Sequence, residues 1–132
     1  MSSFTEPLIT QYLPDTKNWM LPAGAGFRYW LGEVDSGVGV DIPDFFITDG
    51  ASVPRPLWNL VPPWGDHGQA AVLHDYLCTY LTILVFGKPI SITRKECDDI
   101  FLEAMGVLNV HPVKKYAMYY AIRAYAVLAG KK

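Results

Sequence analysis

Five polar residues in this chain are of types, and at spacings, that can do chemistry. Asp49 and Ser52 belong to the run Thr48-Asp49-Gly50-Ala51-Ser52-Val53-Pro54, His74 and Asp75 are adjacent inside an apolar stretch, and Asp98 stands beside Asp99. An imidazole next to a carboxylate offers a general base with a proton shuttle, and carboxylates converging on one point can hold a metal ion that activates water. Each has a plainer role as well. Asp49-Gly50 is a turn sequence, in which the carboxylate caps nearby backbone N–H groups and glycine accepts positive φ. Ser52 lacks the G-x-S-x-G surroundings of a nucleophile elbow and reads equally well as a capping hydroxyl.

His74-Asp75 makes the stronger demand. Ala70, Ala71, Val72, Leu73, Tyr76 and Leu77 surround the pair and leave a helix here few solvated faces. An ionised aspartate buried without partners costs several kcal/mol, so it must find hydrogen bonds or a cation. Adjacent helical residues point about 100° apart, so the two can border one cleft without facing one point. The choice is between a functional site and a tether in which Asp75 holds a loop and His74 is a core histidine. The polar turn at Asp49 to Ser52 is the richest source of partners in the sequence, and we expect Asp49 and the His74-Asp75 pair to lie together. Of the two later aspartates, Asp98 lies at the edge of the apolar stripe and Asp99 projects toward Lys95. Asp98 is therefore the one expected inside, paired with Arg123 or Arg55 if its role is structural.

His74 and Cys78 are four residues apart on one helical face, and with Cys97 they imitate zinc ligands. No CxxC or HExxH motif accompanies them, so apolar packing is the reading adopted, with both thiols reduced. His67 with the later Asp98 suggests an HD-type phosphohydrolase, but the strand-rich first half argues against that all-helical architecture. The residues leave the cofactor and the metal unspecified.

The elements that must position these groups fall into two halves. Residues 27–31 are aromatic-rich, Val38, Val40 and Ile42 alternate with Gly39 and Asp41, and Asp35-Ser36-Gly37 is a turn sequence. Residues 27–42 therefore predict a β-hairpin, with a further strand over Phe45–Thr48. Asp66 and Gln69 have capping-box spacing before an apolar run through Leu81, and the whole apolar stretch Ala70–Phe86 reads as buried helix. Thr93 and Glu96 form a cleaner box before the stripe of Cys97, Ile100, Phe101, Ala104 and Met105, which Gly106 is placed to stop. Pro112 begins a third helix reaching about Leu128. The prediction is an α+β fold, N-terminal antiparallel strands followed by about three packed C-terminal helices, in a single domain over residues 1–132.

Bulk properties narrow the function. A hydrophobic share of 51% is ample for a core. A net charge of −2 with scattered lysines and arginines gives no basic stripe, and no nucleic acid is expected. Ala70–Phe86 contains His74 and Asp75, Tyr116–Ala129 contains Arg123, and both fall short of the roughly 20 apolar residues of a membrane span. The start of the chain lacks the pattern of a signal peptide, which points to synthesis and residence in a host cytoplasm.

Val40-Asp41-Ile42-Pro43, then Phe46 to Pro54 with Trp58, then Ala70 to Leu77, then Asp98 with Phe101, together resemble the ordered motifs of a phage and prophage family, the domain of unknown function numbered thirteen fifty-three. The likeness covers about residues 7 to 128 and departs at Cys78, where the family pattern places a tyrosine. The resemblance implies a phage accessory or virion-associated protein with other virion proteins as partners, and it brings no established reaction. It makes Asp49, Ser52, His74, Asp75 and Asp98 the candidate site. The alternative is a small hydrolase of cell wall or phosphoester, metal-assisted, using Asp49, His74, Asp75 and Asp98.

Overall fold

The computed structural model describes residues 2–16, 18–33, 36–48 and 66–130. Strands β1 (Ser3–Phe4), β2 (Gln11–Leu13), β3 (Asn18–Met20), β4 (Phe27–Trp30), β5 (Val38–Ile42) and β6 (Ile47–Thr48) come first, followed by helix α1 (Gly68–Tyr80). A hairpin of β7 (Thr82–Val85) and β8 (Lys88–Ser91) then leads to α2 (Arg94–Val107) and α3 (Pro112–Leu128). The layout is α+β, as expected. One antiparallel sheet has the order β1-β4-β5-β7-β8, and a smaller one has the order β2-β3-β6.

The predicted hairpin is present, with Phe27 opposite Ile42 and Tyr29 opposite Val40. The period of two buries Phe27, Tyr29, Val40 and Ile42 toward the helices and turns Arg28 and Asp41 outward, where they form a cross-strand ion pair. Phe45–Thr48 is only partly a strand: Phe45 has φ 66, so pairing begins at Ile47.

The Ala70–Phe86 stretch is not one helix. It stops at Leu81, whose φ of 48 turns the chain left-handed while its N–H still bonds the Leu77 carbonyl at 2.7 Å. Thr82 to Val85 are mostly β-branched and fit a pleated surface, and Phe86 and Gly87, both at positive φ, make the turn back. Asn-Gly is the usual signal for such a turn, and Phe86-Gly87 hides it. Gly37, at φ 85, receives this hairpin: the Phe86 N–H donates to its carbonyl, and an added Cβ would stand 2.4 Å from the Phe86 ring.

The Asp66–Gln69 capping box does not form. The first residue is held by Lys114, and the second donates from Nε2 to the Glu6 carbonyl at 2.6 Å. Tertiary partners outcompete the local cap. Thr93–Glu96 is a true capping box. Helix α2 passes Gly106 and ends at Val107, and Asn109 rather than a glycine takes the left-handed position. Pro112 is in the first turn of α3, as predicted.

Helix α2 packs against both other helices, and Tyr29 on β4 donates to Glu103 on α2 at 2.7 Å, which pins the sheet to the helical layer. The core centres on Tyr29, Phe101, Leu73, Leu77, Met105 and Met118. Phe101→Ala should cost about 3–5 kcal/mol, the usual figure for a fully buried aromatic, read as a lower urea midpoint at unchanged slope.

Candidate functional site

Two of the five candidate residues, His74 and Asp98, meet where α1 packs against α2. The capping box of α2 sets the helix register, which places Cys97 and Asp98 inward and leaves Asp99 partly exposed, as the apolar stripe predicts. Asp98 is 0% exposed, and three cationic groups reach it. His74 Nε2 on α1 lies 2.6 Å from Oδ1, Arg94 Nε one turn earlier on α2 lies 3.0 Å from the same oxygen, and Arg123 Nη1 on α3 lies 2.7 Å from Oδ2. The predicted partner Arg123 is found, and Arg55 lies outside the described residues. Sequence reasoning missed Arg94, although its spacing of four from Asp98 is the i,i+4 signal of a helical ion pair.

His74 is 0% exposed and tilts its ring against Phe101, centroids 4.8 Å apart. Burial opposes charge on this imidazole. Asp98 and the Cys78 sulfur outweigh it and raise the pKa from 6.5 to about 9. Burial likewise opposes charge on Asp98, yet His74, Arg123 and Arg94 together hold its carboxyl below the ordinary value. Imidazolium and carboxylate is the ionisation state these partners favour.

The two cysteines join the same cluster. Cys78 Sγ lies 3.4 Å from His74 Nε2 and 3.1 Å from Cys97 Sγ. Both are free thiols, as expected from the sequence. A hydrogen bond with Cys97 and the facing His74 pull the Cys78 thiol down to about 5 against the effect of burial, whereas Cys97, beside that sulfur and wholly buried, is pushed up. His74 Nε2 faces both the carboxylate and the sulfur, and Nδ1 lies 3.7 Å from the same sulfur. Nε2, the nitrogen nearer the sulfur, is the one engaged with the carboxylate, whereas a nucleophile–base–orienter triad places the two partners on separate nitrogens.

His74 and Asp75 do not share a site. The 100° between adjacent helical positions sends His74 into the core and Asp75, half-buried, to the opposite edge. There Asp75 lines a cleft of about 430 Å³ with Asp44, Phe45, Phe46, Thr79 and Tyr80. Asp44 is occupied in that region, accepting from the N–H groups of Gly24 at 2.8 Å and Gly26 at 2.6 Å, which lowers its pKa. Asp49 and Ser52 lie outside the described residues, as does the expected meeting of Asp49 with His74-Asp75. His67 is buried at the start of α1.

An antiparallel sheet packed on three helices that meet at one buried carboxylate is the class of fold and site in hand. The chain belongs to the family described as a protein of unknown function (DUF1353), which matches residues 14–122. It is also similar to an uncharacterized protein, y4jT, of Sinorhizobium fredii (strain NBRC 101917 / NGR234), with 29% identity over 92 residues that cover 68% of this chain and 25% of that protein. The chain thus spans about a quarter of the length of the curated relative it matches. No solved structure matches.

The two shifted groups make opposite contributions to stability. That of His74 is complete below pH 6.5 and is lost as pH rises through about 9. That of Cys78 is complete above pH 9 and is lost as pH falls through about 5. Between pH 6.5 and 9 the slopes cancel, and the melting temperature of the reduced protein should be nearly flat. Cys78→Ser removes one slope, so its melting temperature should fall as pH rises over that range. A variant curve as flat as the parent's would mean that His74 is uncharged in the fold.

Proposed function

We propose that this chain is an accessory protein of a phage or prophage, made in the host cytoplasm and acting beside or within the virion among other virion proteins. The ion network around Asp98 serves as a structural tie and not as a hydrolytic centre. The observation that carries the structural half is the closure of Asp98, fully buried with both oxygens taken by His74, Arg94 and Arg123. A hydrolase needs its carboxylates around an open cleft with room for water and substrate. Asp98 and His74 are both wholly buried, and the cleft that Asp75 lines lies on the other edge of α1 without either of them. The phage half rests on the resemblance of the Val40–Pro54, Ala70–Leu77 and Asp98–Phe101 motifs to a family met in phages and prophages.

Breaking a buried ion network strands the remaining charges, so Asp98→Ala should cost about 3–5 kcal/mol in denaturant unfolding. The parent protein should turn over neither peptidoglycan nor a phosphodiester such as bis(4-nitrophenyl) phosphate. Hydrolysis abolished by Asp98→Asn at an unchanged melting temperature would overturn the structural reading. Mass spectrometry of purified particles, with particle yield from a deletion strain, tests the other half. A chain absent from particles whose loss leaves yield and infectivity intact is not a virion accessory.

A further inference from the structure

The tie described above does not need its two sulfurs. Asp98 is satisfied by nitrogen donors alone, yet Cys78 in the last turn of α1 and Cys97 in the first turn of α2 bring their sulfurs to 3.1 Å beside the same imidazole. The pair is asymmetric. Cys78 is partly exposed, whereas Cys97 is 0% exposed and directs its thiol toward Cys78 and the His74 carbonyl at 3.7 Å. We propose that Cys78 and Cys97 are a redox-active dithiol, in which Cys78 attacks a hydroperoxide and Cys97 resolves the product into an intrachain disulfide joining α1 to α2.

A rival use of the same atoms is a metal site. His74, Cys78, Cys97 and Asp98 each offer a ligand atom, all within 4.8 Å of one another, which is the donor number of a structural zinc site. The charges decide against it. The His74 nitrogen nearer the Cys78 sulfur points its proton at Asp98, and the oxygens of Asp98 are committed to two guanidinium groups. A dication would enter a cluster already holding an imidazolium and two arginines. Those same positive groups favour an anionic sulfur, and the thiolate is the nucleophilic form.

The chemistry balances with the hydroperoxide as the oxidant. The Cys78 thiolate attacks the terminal oxygen of ROOH. An S–O bond forms, the O–O bond breaks, and the alkoxide leaves and is protonated to ROH. Sulfur is thereby oxidised to a sulfenic acid. The Cys97 thiol then attacks the Cys78 sulfur, an S–S bond forms, the S–O bond breaks, and hydroxide leaves with the thiol proton as water. Two thiols have given two electrons to one hydroperoxide. A low thiol pKa weakens nucleophilicity while raising the thiolate fraction, so the proposal concerns which sulfur reacts and what forms, not an unusual rate.

The test uses the full reduced chain and hydrogen peroxide near stoichiometry, with intact mass and non-reducing peptide mapping. The expected result is loss of two hydrogens per chain, a cross-link between the peptides carrying Cys78 and Cys97, and recovery with dithiothreitol. Cys97→Ala should stop at a dimedone-trappable sulfenic acid on Cys78, and Cys78→Ser should leave Cys97 unmodified while the chain is folded by circular dichroism. Oxidation of Cys78 to sulfinic acid without a cross-link overturns the proposal. So does reaction at Cys97 first, or two thiols that survive peroxide in the native chain. Stoichiometric protection of both thiols by added zinc would overturn it in favour of the metal site.

Discussion

A carboxylate removed from water must be matched by positive charge and hydrogen bonds, and in this protein Asp98 imposes that condition on all three helices at once. It draws His74 from α1, Arg94 from α2 itself and Arg123 from α3 to its two oxygens. Apolar packing is tolerant of small slips, because one methyl contact substitutes for another. A buried carboxylate is not tolerant: a shift that opens any one bond leaves a charge in low dielectric. The cluster thus selects one packing of the helices among several of similar apolar area. Neighbours on α2 repeat the device outside the core, with Asp99 accepting from Lys95 and the Tyr119 hydroxyl, and Glu103 accepting from Tyr29 and Ser2. α2 is the hub because acidic groups at 98, 99 and 103 face α1, α3 and the sheet in turn.

The sulfurs inherit their character from that condition. Three cations around one carboxylate leave an excess of positive charge, and Cys78 stands 3.4 Å from the imidazole that carries part of it. An apolar helix contact would have raised a thiol pKa through burial alone, which is the sense of the shift at Cys97. At Cys78 the hydrogen bond with Cys97, the facing His74 and the charge of Arg94 together reverse that sense. The difference between two cysteines 3.1 Å apart therefore traces first to the hydrogen bond they share, which favours an anionic sulfur at Cys78 and a retained proton at Cys97, and then to the charges of the tie.

Local signals carried much of this structure and failed where long-range partners intervened. The hairpin of β4 and β5, the Thr93–Glu96 box, the inward face of Asp98 and the Pro112 start of α3 depend on neighbours within a few residues, and all were legible. Asp66 and Gln69 carried the same capping-box spacing, but Lys114 and the Glu6 carbonyl took them. The β7–β8 hairpin was hidden because Thr82–Val85 continues the apolar run of α1 without punctuation, and its turn is made by Phe86-Gly87. Arg123 was legible as a basic residue in an apolar helix that needed a partner. Arg94 stands outside the apolar stripe, and its only local signal is the spacing of four from Asp98.

The His74-Asp75 doublet shows why a short motif can mislead about a site. Two adjacent residues read as one functional unit in sequence, yet a helix sends them to different solvents. His74 enters the dry junction of the three helices, where its charge is fixed by Asp98. Asp75 borders an open cleft with Phe45, Phe46, Thr79 and Tyr80. A substitution at 74 therefore acts on the packing of α1 against α2, and one at 75 acts on the surface beside β6. Any phenotype assigned to the doublet as a whole would merge two physically separate effects, so the residues have to be changed one at a time for the motif to be understood.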